Sequence, residues 1–244
     1  MHEIPSPPKH LELAIISRIK VLSVMDIAET RAPQDGHFQV NVDGRIIDFR
    51  VSSFPTVNGE NVVLRLLDTS GLLVGLEKMG FSQSILKQYE ELILRPYGII
   101  LSTGPTGSGK TTTITTMIDI INKKRSGVIL SLEKPIEYLH NNIKGIVKQR
   151  EVGTDVPTFA SGLKAALRQD PNVIVVGEVL DGDTVETVLQ AAETGHLVIT
   201  SVHCTDTLQV FDRIVSFFPL EQRNFIYARL SHSLKAVITQ KLLR

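Results

Sequence analysis

The chain has 244 residues, 42% of them hydrophobic, enough to bury one large core or two modest ones. Its 26 basic and 26 acidic side chains cancel, and it has 9 Phe, 4 Tyr and no Trp, which argues against a nucleic-acid partner. A single cysteine, Cys204, excludes an internal disulfide framework, and no apolar run reaches the roughly 20 residues that span a bilayer, so the sequence reads as a soluble, cytoplasmic chain without direct membrane insertion.

Met1 to Pro5 leads into no secretory apolar segment. From His10 to Glu29, Leu11, Ile15, Ile19 and Leu22 recur at helical spacing, and Arg31 to Gly36 reads as a turn. Phe38, Val40 and Val42 then alternate with polar residues, Asp43-Gly44 has hairpin-turn chemistry, Ile46 to Ser52 returns extended, and a third strand is expected over Val62 to Leu67. These pieces form a small α+β unit over residues 1–69, followed by a glycine-bearing linker over 70–75.

Residues 76–244 have a different character. Helices are expected over Ile85 to Leu94, Thr111 to Lys124, Phe159 to Gln169 and Thr184 to Glu193. Apolar strands are expected over Gly98 to Ser102, Val128 to Leu132, Val173 to Val176 and His196 to Val202. Short apolar strands alternating with amphipathic helices predict a parallel sheet covered on both faces.

Between the strand ending at Ser102 and the helix from Thr111 lies Gly104-Pro105-Thr106-Gly107-Ser108-Gly109-Lys110-Thr111, followed by Thr112. Glycines at these positions let backbone N–H groups converge on phosphate oxygens at a helix N-terminus. Lys110 supplies charge to the β- and γ-phosphates, and Thr111 supplies a hydroxyl for Mg2+, so ATP with Mg2+ is the expected ligand.

Other strand ends offer the remaining chemistry. Glu178 follows an apolar strand and suits the metal side of such a site; the plain alternative is a strand-end glutamate in solvent. Glu133 closes another strand on the same edge and is a candidate to orient or deprotonate water, whereas Glu137 follows Pro135 and more simply shapes a turn. His203 ends a further strand, where it can contact a γ-phosphate; His196 is equally well explained as a strand-start residue, and Cys204 with both histidines lacks the spacing of a zinc site. Arg50 and Arg65 can donate to transition-state charge, although strand arginines are ordinarily solvated.

Taken together these motifs resemble the secretion ATPases of type II secretion systems and type IV pili, along essentially the whole chain. Pro33 to Gly36, Asp48 to Ser52 and Val63 to Leu67 are similar to that family's second N-terminal domain. Gly104 to Thr111 resembles its Walker A motif, Leu132 to Glu137 its Asp box, Leu167 to Pro171 with Gly177-Glu178 its Walker B region, and Thr194 to His203 its His box. The resemblance implies a RecA-like P-loop domain with a parallel-rich sheet behind a partial α+β domain, and a hexameric ring whose nucleotide sits between the two. It makes Glu133 the catalytic carboxylate, Glu178 the metal-side one, His203 a γ-phosphate contact, and Arg50 and Arg65 charge-stabilising. It also implies an inner-membrane platform protein as partner, with peripheral membrane association through it.

Two positions depart from the family pattern: Lys134 stands where Asp is usual and Leu180 where Arg is usual. The resemblance further implies a fragment, lacking upstream motifs and ending before a four-cysteine zinc element, so no zinc is expected. A nucleotide-binding regulatory or scaffold subunit without turnover is the competing reading. A small-molecule kinase would need an acceptor pocket and lid that the sequence does not display.

Overall fold

The computed structural model describes residues 6–42, 45–67 and 75–242. The expected turn at Asp43-Gly44 and most of the expected linker lie outside them. The chain divides into two compact units, residues 1–71 and 72–244.

In the first unit, helix α1 (Glu12–Leu22) precedes strands β1 (Gln34–Val42), β2 (Arg45–Thr56) and β3 (Gly59–Leu67), which form an antiparallel sheet in that order. The segment read as a turn over Arg31 to Gly36 instead enters β1 at Gln34. Gly36 belongs to the strand because the end of α1 packs on it: a Cβ there would stand 2.3 Å from the Ser23 carbonyl oxygen. The third strand likewise begins earlier than its apolar run, because Thr56 Oγ1 donates to the Gly59 carbonyl at 2.7 Å and closes a hairpin through Val57 and Asn58.

One buried ion pair ties α1 to this sheet. Lys20 is 1% exposed; its ammonium pairs with the Glu60 carboxylate and donates to the Glu29 carbonyl at 2.7 Å. Glu60 also accepts from Ser53 Oγ at 2.9 Å. The ammonium has thus exchanged water for fixed acceptors, and loss of Glu60 leaves a buried charge without its counter-ion.

The second unit carries α2 (Gln83–Ile93), β4 (Gly98–Thr103), α3 (Lys110–Lys124), β5 (Val128–Glu133), β6 (Ile146–Glu151), α4 (Phe159–Ala166), β7 (Val173–Val176), α5 (Gly182–Glu193), β8 (Leu197–Val202), α6 (Thr207–Ser216), α7 (Leu220–Ser233) and β9 (Leu234–Thr239). Its six strands run parallel in the order β6-β5-β7-β8-β4-β9. Every residue of β4, β7 and β8 is buried, as a parallel sheet with two covered faces requires.

Alternation along these strands divides the core into two layers. Leu101, Leu132, Val176 and Val198 pack with Leu163 and Leu189 on the α4–α5 side, whereas Ile100, Val175 and Ile199 meet Met117, Ile118 and Ile121 of α3 on the other. Helix starts follow side-chain chemistry: Thr158 and Ser161 make a reciprocal capping box for α4, and Asp181 and Asp206 accept from Thr184 and Gln209 backbone N–H groups at the starts of α5 and α6.

The Lys20–Glu60 pair generates a prediction. Glu60→Ala should destabilise the first unit by about 3–5 kcal/mol, read as faster amide hydrogen exchange across β1–β3 with β4–β9 unaffected. Unchanged exchange in β1–β3 would contradict the role assigned to the pair.

Candidate functional site

The parallel arrangement brings the carboxyl ends of β5, β7, β8 and β4 to one edge in that order, and ligands of open α/β sheets bind at that edge. The loop from Gly104 to Gly109 follows β4 and opens α3, with Gly104, Gly107 and Gly109 at φ 149°, 79° and 91°. Gly104 admits no side chain: a Cβ would lie 2.4 Å from the Gln240 carbonyl oxygen and 2.5 Å from Ser108 Oγ. At Gly107, by contrast, nothing lies within 4 Å of a Cβ position. The loop's tight side therefore faces the fold, and its open side faces a cavity of about 620 Å³.

Lys110 is 8% exposed and donates to the Gly104 and Pro105 carbonyls at 2.8 and 3.0 Å. Burial pulls its ammonium below the usual lysine range, and the charge of Glu178 opposes that shift. Thr106, Gly107, Gly109, Lys110, Thr111 and Thr112 all line the cavity, as do Glu133, Glu178 and His203. Ser108 is buried beneath the loop, and its hydroxyl has no partner among the described residues. Such a cradle, glycine-walled with one buried cation at its rim, fits an anionic polyphosphate.

Across the cavity, Glu178 Oε2 lies 3.4 Å from His203 Nε2. Their strand ends are stapled together: Ser201 Oγ donates to the Gly177 carbonyl at 2.6 Å, and Val179 N–H to the Ser201 carbonyl at 3.1 Å. Glu133 sits at the end of β5, where burial pushes its carboxyl above the ordinary carboxylate range and hydrogen bonds from Ser131 and Gln149 pull it back. Lys134 and Glu137 also line this wall. Leu180, half exposed, borders a separate hollow with Cys204 and Arg213.

His196 belongs elsewhere. It lies at the amino end of β8, about 20 Å from His203 at strand rise. Its Nδ1 is 2.9 Å from the Ala191 carbonyl oxygen and 3.2 Å from Thr194 Oγ1, so it secures the turn out of α5. Arg50 and Arg65 occupy the first unit, directly opposite one another in the β2–β3 register, with His37 opposite Arg50 on β1.

Two positioning residues were not foreseen from the sequence. Thr103 Oγ1 donates to the Cys204 carbonyl at 2.9 Å and accepts from the Cys204 N–H at 3.2 Å, which locks the ends of β4 and β8 together. Gln240, just beyond β9, donates from Nε2 to Thr113 Oγ1 at 2.7 Å, accepts from Ser102 Oγ at 3.2 Å, and donates its N–H to the Thr103 carbonyl at 2.9 Å. It thereby joins β9, β4 and α3 beneath the phosphate loop. A polar residue after an unforeseen strand has no periodic signal to reveal it.

Comparison with known proteins agrees with this geometry. The family described as "Type II/IV secretion system protein" matches residues 1–244. Type II secretion system protein E of Klebsiella pneumoniae is 43% identical over 245 residues, covering 100% of this chain and 47% of that protein. The chain spans about half the length of the curated relatives it matches. A crystal structure of the pilus retraction motor PilT with bound ADP aligns with a TM-score of 0.78 at 44% identity, covering 87% of this chain and 60% of that one. The Legionella pneumophila ATPase DotB aligns with a TM-score of 0.75 at 29% identity, covering 87% and 58%.

Because Gly104 meets fixed backbone, Gly104→Ala should weaken nucleotide binding by about tenfold or more, measured by calorimetry, while circular dichroism stays unchanged. Binding at the original affinity would show that the loop tolerates the methyl and is not held by Gln240.

Proposed function

The chain belongs to the type II/IV secretion system protein family, and from that premise we propose that it is an ATP-hydrolysing motor subunit that assembles into a hexameric ring. The observation that carries the reading is the meeting of Lys110, Glu133, Glu178 and His203 at one cavity beside the glycine loop. The loop N–H groups and Lys110 bind the β- and γ-phosphates. Mg2+ would be held by the Thr111 hydroxyl and, through water, by Glu178, and would supply charge neutralisation at the phosphate oxygens.

Glu133 orients the attacking water and accepts its proton as the water oxygen bonds to the γ-phosphorus and the bond to the leaving ADP oxygen breaks. His203 hydrogen-bonds the γ-phosphate and passes its presence to Glu178. Arg50 and Arg65, of the first unit, stabilise the charge that develops on the transferring group. Residues 1–69 then act as the partial α+β domain and residues 76–244 as the ATPase domain, joined by 70–75. Type II secretion or pilus assembly or retraction is the work performed, against an inner-membrane platform protein, from a cytoplasmic position peripheral to that membrane.

The competing reading, a regulatory subunit that binds nucleotide without turnover, draws on Lys134, a cation on the cavity wall next to Glu133. Phosphate release from Mg-ATP over a series of protein concentrations separates the two. The motor reading expects release that rises more steeply than protein concentration as subunits associate. Lys110→Ala should abolish it, whereas Glu133→Gln should retain nucleotide affinity and lose about 100-fold or more in kcat. Tight binding without release, in a longer form of the protein as well, would favour the regulatory subunit.

A further inference from the structure

Glu133 ends β5, and β5 pairs with β6 so that Ser131 stands directly opposite Gln149. Residues two apart on a strand share a face, so the three side chains meet on one side of the sheet. Ser131 Oγ donates to Glu133 Oε1 at 2.7 Å, and Gln149 Nε2 donates to the same oxygen at 3.1 Å. The orientation of the Gln149 amide is set by groups that cannot reverse roles: Nε2 also donates to the Tyr138 carbonyl at 2.8 Å, and Oε1 accepts the His140 N–H at 2.8 Å. Ser131 is wholly buried, and its one hydroxyl proton goes to Glu133.

We propose that Ser131 and Gln149 are positioning residues for Glu133, pinning Oε1 so that Oε2 is the oxygen presented to the attacking water. The inference rests on the role given to Glu133 above. Two donors on one oxygen fix the rotation of the carboxylate and favour its ionised form, against a burial that disfavours it. The other charged groups around it are Lys134 and Glu137 on the following segment, Glu151 at its register position on β6, and Lys110 and Glu178 on the cavity wall. Of these, Glu137 raises the Glu133 carboxyl through its charge and lowers it, more weakly, through its backbone N–H, so the two side-chain donors remain the main counterweight to burial.

A purely structural role for this pair would be to tie the segment Tyr138–His140 to β6, and Ser131 takes no part in that tie. Ser131→Ala in the whole chain is therefore the informative variant, with Gln149→Met as a second and Ser131→Thr as the hydroxyl-retaining control. Loss of a donor to the ionised form raises the pH at which the base protonates. The acid limb of the kcat–pH profile should accordingly move up by about one pH unit, and kcat at neutral pH should fall by up to about tenfold. Affinity for Mg-ATP should stay within about twofold, since neither Ser131 nor Gln149 lines the cavity. Ser131→Thr should restore the limb. An unmoved limb in Ser131→Ala, or a Thr variant no better than Ala, would overturn the inference while leaving Glu133 in place. A Glu133→Gln variant that hydrolyses ATP normally would instead remove the role of Glu133 itself and the inference with it.

Discussion

Parallel pairing of β5, β7, β8 and β4 is the constraint on which the cavity depends. Residues within these strands pack against helices on both sides, so polar chemistry is confined to strand ends. With all strands pointing the same way, four such ends fall along one edge, at the strand spacing of about 4.8 Å. Glu133, Glu178, His203 and the glycine loop are neighbours because their strands are. The staples between strand ends refine that placement: Thr103 bonds Cys204 in both directions, and Ser201 donates to Gly177 and accepts from Val179.

The glycine loop adds a second constraint, which is steric. Its backbone is pressed against Gln240 on one side and open on the other, so the chain beyond β9 forms part of the floor of the phosphate site. The same strand end therefore supports the loop and continues toward Leu242, which reaches the cavity. The phosphate loop and the C-terminal strand thus share their packing through Gln240.

Much of this was legible in the sequence, for a physical reason. Fully apolar strands and the spaced glycines of Gly104 to Thr111 leave strong local signals, and the α/β alternation follows from them. Strand β6 left none: Ile146-Val147 is followed by four polar residues, Lys148 to Glu151, so only its burial alternates, with the inward side chains half covered at a sheet edge. Strand β9 begins at Leu234, immediately after α7 ends at Ser233, with no turn residues to mark the change. Both unread strands carry a positioning group, Gln149 within β6 and Gln240 just beyond β9. Local pattern finds residues that chemistry requires in a fixed motif, whereas residues that hold the motif are chosen by tertiary register and carry no pattern of their own. Gly36, read as a turn, shows the converse: a glycine selected for close helix packing looks the same in sequence as one selected for a turn.

The most direct test is a crystal structure of the chain with Mg2+ and a non-hydrolysable ATP analogue. The account predicts the β- and γ-phosphates cradled by the backbone N–H groups of Gly107 to Thr111 with Lys110 against them, the metal beside Thr111 on the Glu178 side, and Glu133 facing the γ-phosphate. Nucleotide bound away from the glycine loop, or a γ-phosphate turned away from Glu133, would contradict it.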